Sequence, residues 1–153
     1  MLMDIQEGFA KYSPPLIFLG GILLFLYSIG PAISYPINAY GYATINNSGN
    51  STTSYYNSAG SYVTVPTSQY NQMEIGQHIR LAALAIVALV ASIAVVESGR
   101  RLRKMLNKKL CLIAMLSSII SFAMLWLLYN DISVIIIGFV LALIGSVLGF
   151  IYS

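Results

Sequence analysis

Residues 98–109 read SGRRLRKMLNKK. Six of the chain's eight basic residues stand in this stretch: Arg100, Arg101, Arg103, Lys104, Lys108 and Lys109. An apolar run of bilayer length flanks it on either side. A basic segment between two such runs is the positive-inside mark of a cytoplasmic loop, and it orients every other segment. Working outward, the second span is expected over 79–97, with LAALAIVALVASIAVV at its centre, and the third over 110–129, LCLIAMLSSIISFAMLWLLY. Asn130 and Asp131 separate the third from a fourth at 132–152, so these two form a tight hairpin, with either residue placed to cap the fourth helix. The first span is expected over 14–34, opening on Pro14-Pro15, with Gly30-Pro31 ending or kinking it. About twenty residues at 1.5 Å rise cover the roughly 30 Å of hydrocarbon. Residues 1–13, with Ile5, Phe9 and Tyr12 at helical spacing, suit an interfacial segment.

Composition supports this class. The 153-residue chain is 58% hydrophobic and 8% charged, with a mean hydropathy of +0.77, whereas soluble domains carry about 25% charged residues. The expected architecture is an all-α integral membrane protein, a four-transmembrane-helix bundle with both ends inside. It would sit as a multi-pass protein in the plasma (cytoplasmic) membrane. Trp126 and Tyr129 would mark the outer interface, Tyr12 and Tyr152 the inner one. The first apolar run is expected to be retained rather than cleaved, because Asp4 and Glu7 precede it and Pro31 follows the small-residue stretch. The net charge of +3 comes from one loop. It points to anionic headgroups as partners and not to nucleic acid, whose binding surfaces interleave basic and aromatic residues.

The long loop, 35–78, is expected to be extracytoplasmic. No Asp, Glu, Lys or Arg occurs from Tyr12 through Met73, and seven of the eleven tyrosines fall between 35 and 73. Alternating Tyr, Thr and Val predict a β-meander with strands near 39–45, 51–56 and 61–67, turned at 46–50 and 57–60. Asn46 and Asn50 each open an Asn-X-Ser/Thr sequon and are glycosylation candidates. A hydroxyl- and amide-covered surface keeps its hydration at any pH, whereas carboxylates lose their charge in acid. The loop therefore suggests an acidophilic archaeon.

Chemistry is hard to find in the spans. Intramembrane catalysis or transport usually needs an ionisable residue there, and none of the four spans has one at its middle. Glu97 and Arg80 stand at the two ends of the second span, where their stems reach the headgroups, and Glu97 is spaced to pair with Arg100 or Arg101. Cys111 is the single cysteine and His78 the single histidine, which rules out an intramolecular disulfide and a bis-histidine haem within one chain. Proton-coupled four-helix exporters carry a carboxylate in their first helix, and four-helix thiol oxidoreductases carry cysteine pairs; both are missing. The order of helix, β-rich outer loop, helix, basic loop and helical hairpin is similar to that of claudin-like proteins. Their outer-loop disulfide and tryptophan motif are absent, so the likeness is one of topology.

The spans do show a packing code. Gly138, Ala142, Gly145 and Gly149 form a small-residue face in the last span, and Ala85, Ala88 and Ser92, with Ala91 and Ala94 near them, a second one. Such faces let helix backbones approach closely in lipid. The function expected is that of a non-catalytic accessory or structural subunit of a larger membrane complex, possessing no cofactor of its own. Its partners would be other integral membrane subunits and the bilayer, with lipid or quinone contact at a subunit interface. The other reading is a cell-surface or viral-envelope protein acting through its outer loop, and a small transporter ranks last. Arg80 and Asp131, both at the expected outer interface, would form an ion pair that clamps the last hairpin to the second span. Removing that charge by Asp131→Asn is expected to lower the thermal unfolding temperature in detergent; an unchanged temperature would dismiss the pair.

Overall fold

The computed structural model describes residues 7–44, 51–131 and 133–153. Among the described residues the chain is mostly helical, in the order α1 (Ser13–Thr44), β1 (Thr52–Tyr56), β2 (Tyr62–Pro66), α2 (Thr67–Leu102), α3 (Lys108–Tyr129) and α4 (Ile135–Tyr152). Residues 7–10 are helical as well. Four of the described helices are long and apolar enough to cross a membrane, as expected of a multi-pass membrane protein. The chain divides into a bundle unit, residues 1–32 and 83–153, and a hairpin unit, residues 33–82.

In the bundle unit, two layers of buried apolar side chains lie along the helices. One holds Ile17, Val95, Leu102, Cys111, Ala114 and Ala142. The other is built on Leu24, Ala88, Leu125 and Ile135, with Tyr27, Phe122 and Phe139 packed against it. Phe122 and Phe139 stack at 4.4 Å between ring centroids, which joins α3 to α4. Large side chains such as Ile86, Val90, Ile93, Leu116, Ile120, Leu127 and Ile137 point out of the bundle. A soluble protein hides such residues; a bilayer solvates them.

The helix ends differ from expectation in three places. First, α1 does not end at residue 34 but runs through Pro31 and Pro36 to Thr44. Proline removes one helical hydrogen bond and frees the carbonyl four residues back. For Pro31 that carbonyl belongs to Tyr27, and the Tyr129 hydroxyl donates to it at 2.8 Å. A replaced hydrogen bond lets the helix continue where a proline would otherwise leave an unpaired acceptor. Second, α2 extends from Thr67 to Leu102, about 54 Å at 1.5 Å per residue, far more than a bilayer requires. Arg100 and Arg101 therefore lie in its last turn, where cations suit the helix dipole. Third, Asn130 caps the end of α3 rather than the start of α4. It takes the left-handed conformation at φ 50°, and its N–H bonds to the Trp126 carbonyl, a role asparagine shares with glycine. Asp131 accepts from the Ser133 N–H and hydroxyl, and α4 begins later than expected, at Ile135, with no side-chain cap.

In the hairpin unit, β1 and β2 pair antiparallel with Thr52 opposite Pro66 and Tyr56 opposite Tyr62. The turn at 57–60 is an Asx turn: Asn57 Oδ1 accepts from the N–H groups of Ala59 and Ser61. Gly60 completes it at φ +76°, a conformation that glycine adopts without a Cβ penalty. Thr67 N–H bonds to the Ser51 carbonyl, extending the ladder by one step, and Ser54 and Thr64 hydroxyls meet across the strands at 2.8 Å. The expected three-stranded meander is thus a two-stranded hairpin among the described residues. The first expected strand, 39–45, is helical through Thr44, and the turn expected at 46–50 lies outside the described residues.

The Pro31–Tyr129 arrangement can be tested by a double-mutant cycle. Tyr129→Phe should cost on the order of 0.6–1.7 kcal/mol in detergent unfolding, the range for hydrogen bonds between membrane helices. In a Pro31→Ala background the backbone N–H regained at position 31 serves the Tyr27 carbonyl, so the same substitution should cost markedly less. Equal costs in both backgrounds would show that the hydroxyl does not stand in for the missing helical bond.

Candidate functional site

The small residues singled out in the last span lie where α1 meets α4. Gly138, Ala142, Gly145 and Gly149 are all buried. A Cβ on Gly20 of α1 would fall 2.5 Å from the Ala142 nitrogen and 2.6 Å from the Gly138 carbonyl oxygen. A Cβ on Gly145 would fall 2.8 Å from the Ile17 nitrogen, and one on Gly149 would meet the Ser13 hydroxyl and the Cys111 sulfur. The other side of α1 approaches α2 as closely. Gly21 faces Val95 and Val96, and Gly99 faces the backbone of Phe18, where a Cβ would lie 2.7 Å from the Phe18 nitrogen. The helix α1 is thus held between two neighbours at backbone contact. Ala85, Ala88 and Ser92 are also fully buried. The sequence pattern singles out the glycines of α4 but not Gly20, Gly21 and Gly99, although Gly20-Gly21 in an apolar run is the same signal.

Buried serines complete these contacts. The Ser13 hydroxyl donates to the Gly145 carbonyl at 2.7 Å, linking α1 to α4. The Ser121 hydroxyl donates to the Ala88 carbonyl at 3.1 Å, linking α3 to α2. Ser28 and Ser92 hydroxyls lie 3.4 Å apart between α1 and α2, and each also donates within its own helix, to Leu24 and Leu89. Ser98, Ser118 and Ser146 likewise bond to carbonyls of their own helices. These hydroxyls are committed to backbone acceptors, which is a structural use of polarity.

The cations of the basic segment have different partners. Arg100 grips Glu97 with Nε at 2.7 Å and Nη2 at 2.8 Å, and Arg101 Nε reaches the same carboxylate at 2.8 Å. Lys108 Nζ stands 5.8 Å from the centre of the Phe150 ring, and Arg103 Cζ stands 4.6 Å from that of Phe18, both within reach of cation–π attraction. Lys109 donates its backbone N–H to the Asn107 side chain, the N-cap of α3. Arg103 and Lys104 also line an open cavity of about 490 Å³ together with Lys11. On the outward side of α2 and α3 lies an apolar groove of about 380 Å³, walled by Ile86, Val87, Val90 and Ile120 and floored by Ala91, Ala94 and Ser117.

The hairpin unit has its own cluster. His78 Nδ1 lies 2.8 Å from the Glu74 carbonyl oxygen one turn back. Its ring is flanked by Tyr42 at 5.3 Å and Tyr35 at 6.0 Å. Tyr35 and Tyr42 are seven residues apart, two turns of α1, so they share a helix face; reading 39–45 as a strand conceals this. Tyr55 packs on Tyr70 at 5.4 Å, and Tyr56 on Tyr62 at 5.3 Å. The last two rings are largely exposed. Among the described residues, no group of three His, Cys, Asp or Glu side chains is close enough to hold a metal ion. Asn46 and Asn50 lie outside the described residues. Arg80, in this unit, is exposed; Asp131, in the bundle unit, accepts from Ser133 as described above.

Comparison with family models, with curated proteins and with solved structures finds no match to this chain.

Two helical glycines give a matched test of the close contact. Gly20→Ala must push α4 away and is expected to lower the unfolding temperature in detergent clearly. Gly76, in α2 and followed by no proline, has nothing within 4 Å of a would-be Cβ. There, Gly76→Ala should be neutral or stabilise by up to about 1 kcal/mol through helix propensity. Equal effects of the two substitutions would rule out backbone contact at Gly20.

Proposed function

We propose that this chain is a non-catalytic accessory or structural subunit of a larger membrane protein complex. The host we put first is a respiratory assembly, a terminal oxidase or quinol-oxidising complex, of an acidophilic archaeon. The observation that carries the reading is the groove on α2 and α3. Its floor of Ala91, Ala94 and Ser117 between the larger Ile86, Val90 and Ile120 is the small-residue relief that a neighbouring transmembrane helix fills. The Ser13 and Ser121 hydroxyls support it too, since they tie α1 to α4 and α3 to α2. The host's identity rests on the charge-free loop and on the habitat that it suggests. Lipid or quinone would then be met at the subunit interface, with no cofactor held by this chain alone.

A cell-surface or viral-envelope role is the second reading. The exposed Tyr56–Tyr62 pair beside the Asn57–Gly60 turn favours it. Tyrosine, serine and asparagine together make an adaptable contact surface with low ordering cost.

Extraction from native membranes in mild detergent separates the readings, by native sizing, subunit mass spectrometry and a reduced-minus-oxidised visible spectrum of the same fraction. Co-migration with a haem-bearing assembly is expected, and Ala91→Leu/Ala94→Leu, which fills the groove, should release the chain from it. A colourless fraction holding this chain alone, or with surface proteins, would overturn the respiratory assignment.

A further inference from the structure

The close approach of Gly99 to Phe18 has an electrostatic effect at that end of the bundle unit. It brings the end of α2 beside the start of α1. Lys11 stands seven residues before Phe18, and Arg103 four residues after Gly99. The chain leaves α2 in a turn closed by the Lys104 N–H on the Arg101 carbonyl at 3.0 Å. As a result Lys11, Arg103 and Lys104, from two segments about ninety residues apart in sequence, line one cavity of about 490 Å³. Among the described residues, no acidic side chain lines it. Glu97, near the end of α2, is bound to Arg100 and Arg101.

The remaining walls identify the ligand's other half. Pro14, Met105 and Tyr152 line the same cavity, and Met105 is 69% exposed. A site for a free anion has no use for an uncovered methionine, whereas a phospholipid presents a phosphate and glycerol beside its acyl chains. Arg103 is held by the Phe18 ring at 4.6 Å, so its planar fork is pre-oriented, the geometry that favours bidentate phosphate contact. We propose that the cavity formed by Lys11, Arg103 and Lys104 is a binding site for one anionic phospholipid from the leaflet on the basic-loop side. The phosphate meets the three cations and the upper acyl chain lies on Pro14 and Met105. This goes beyond a diffuse attraction between a basic loop and a charged bilayer, because it assigns three of the cations to a defined site and leaves Arg100, Arg101, Lys108 and Lys109 outside it. It needs the helices to cross a bilayer but does not depend on which complex hosts the chain.

The test uses the full chain, delipidated in neutral detergent, and native mass spectrometry with added phosphatidylglycerol or phosphatidylcholine. One phosphatidylglycerol should be retained in preference to phosphatidylcholine. Each cation near an anionic lipid contributes about fivefold, so Lys11→Gln/Lys104→Gln should weaken retention by about thirtyfold. The control Arg100→Gln/Lys108→Gln removes equal charge outside the cavity and should leave retention within about twofold of the parent. Arg103→Lys, which keeps the charge and loses the fork, should weaken it in part, with the unfolding temperature reporting that the fold is kept. Equal losses in the pocket and control variants would mean diffuse attraction and overturn the site, as would no loss in either. Displacement of the lipid by millimolar inorganic phosphate, at constant ionic strength, would reassign the cavity to a free anion and overturn the lipid.

Discussion

The bundle unit depends on backbone contact between α1 and its two neighbours. Lipid tails are as apolar as leucine, so burying apolar surface between helices gains little there, and dispersion at close range has to supply the attraction. Dispersion falls steeply with distance. Gly20 against Gly138 and Ala142, Gly145 against Ile17, and Gly99 against Phe18 reduce the separation until backbone atoms themselves touch. That proximity explains the serines. The Ser13 hydroxyl can reach the Gly145 carbonyl because no larger side chain separates the helices. The same proximity sets the position of the basic end, since Gly99 against Phe18 decides which cations face one another.

The four long apolar helices were legible because hydropathy over twenty residues is a strong signal that local preferences cannot mask. The small-residue face of the last span was legible for a similar reason: four positions spaced by three and four residues repeat one choice. The helix ends were not. At Pro31 the rule that proline ends helices assumes that the freed carbonyl stays unpaired. Here it meets the Tyr129 hydroxyl, 102 residues away in sequence, and local reading has no access to that partner. Asn130 carried two meanings, since asparagine suits both the N-cap and the left-handed C-cap, and the Trp126 carbonyl decided between them.

The segment 35–44 shows a different failure. Tyrosine, threonine and isoleucine favour strands by a margin of about 1 kcal/mol or less. A helix already running from Ser13 pays no nucleation cost to continue. Continuation also places Tyr35 and Tyr42 on one face, against the His78 ring. Three weak strand preferences were outweighed by propagation and two aromatic contacts. By contrast, Pro66 disfavours a helical Val65 and so keeps the helix that starts at Thr67 from extending back into 62–66, and an Asx turn with Gly60 at positive φ joins 62–66 to 52–56, so there the strand preference prevailed.

The basic segment presents a conflict that its local chemistry resolves unevenly. Arg100 and Arg101 at the end of α2 are well placed for the helix dipole, and Glu97 holds both. Lys108 and Lys109 open α3, where the dipole opposes them by about 0.3–1 kcal/mol each at low ionic strength. Asn107 offsets part of this by capping the helix, and the Phe150 ring offers Lys108 a cation–π contact. A sequence selected for helix stability alone would have placed acids there. A cation beside an anionic leaflet gains about 1 kcal/mol, equal to or greater than the dipole cost. The anionic leaflet proposed as this segment's partner would therefore offset the dipole cost at the start of α3.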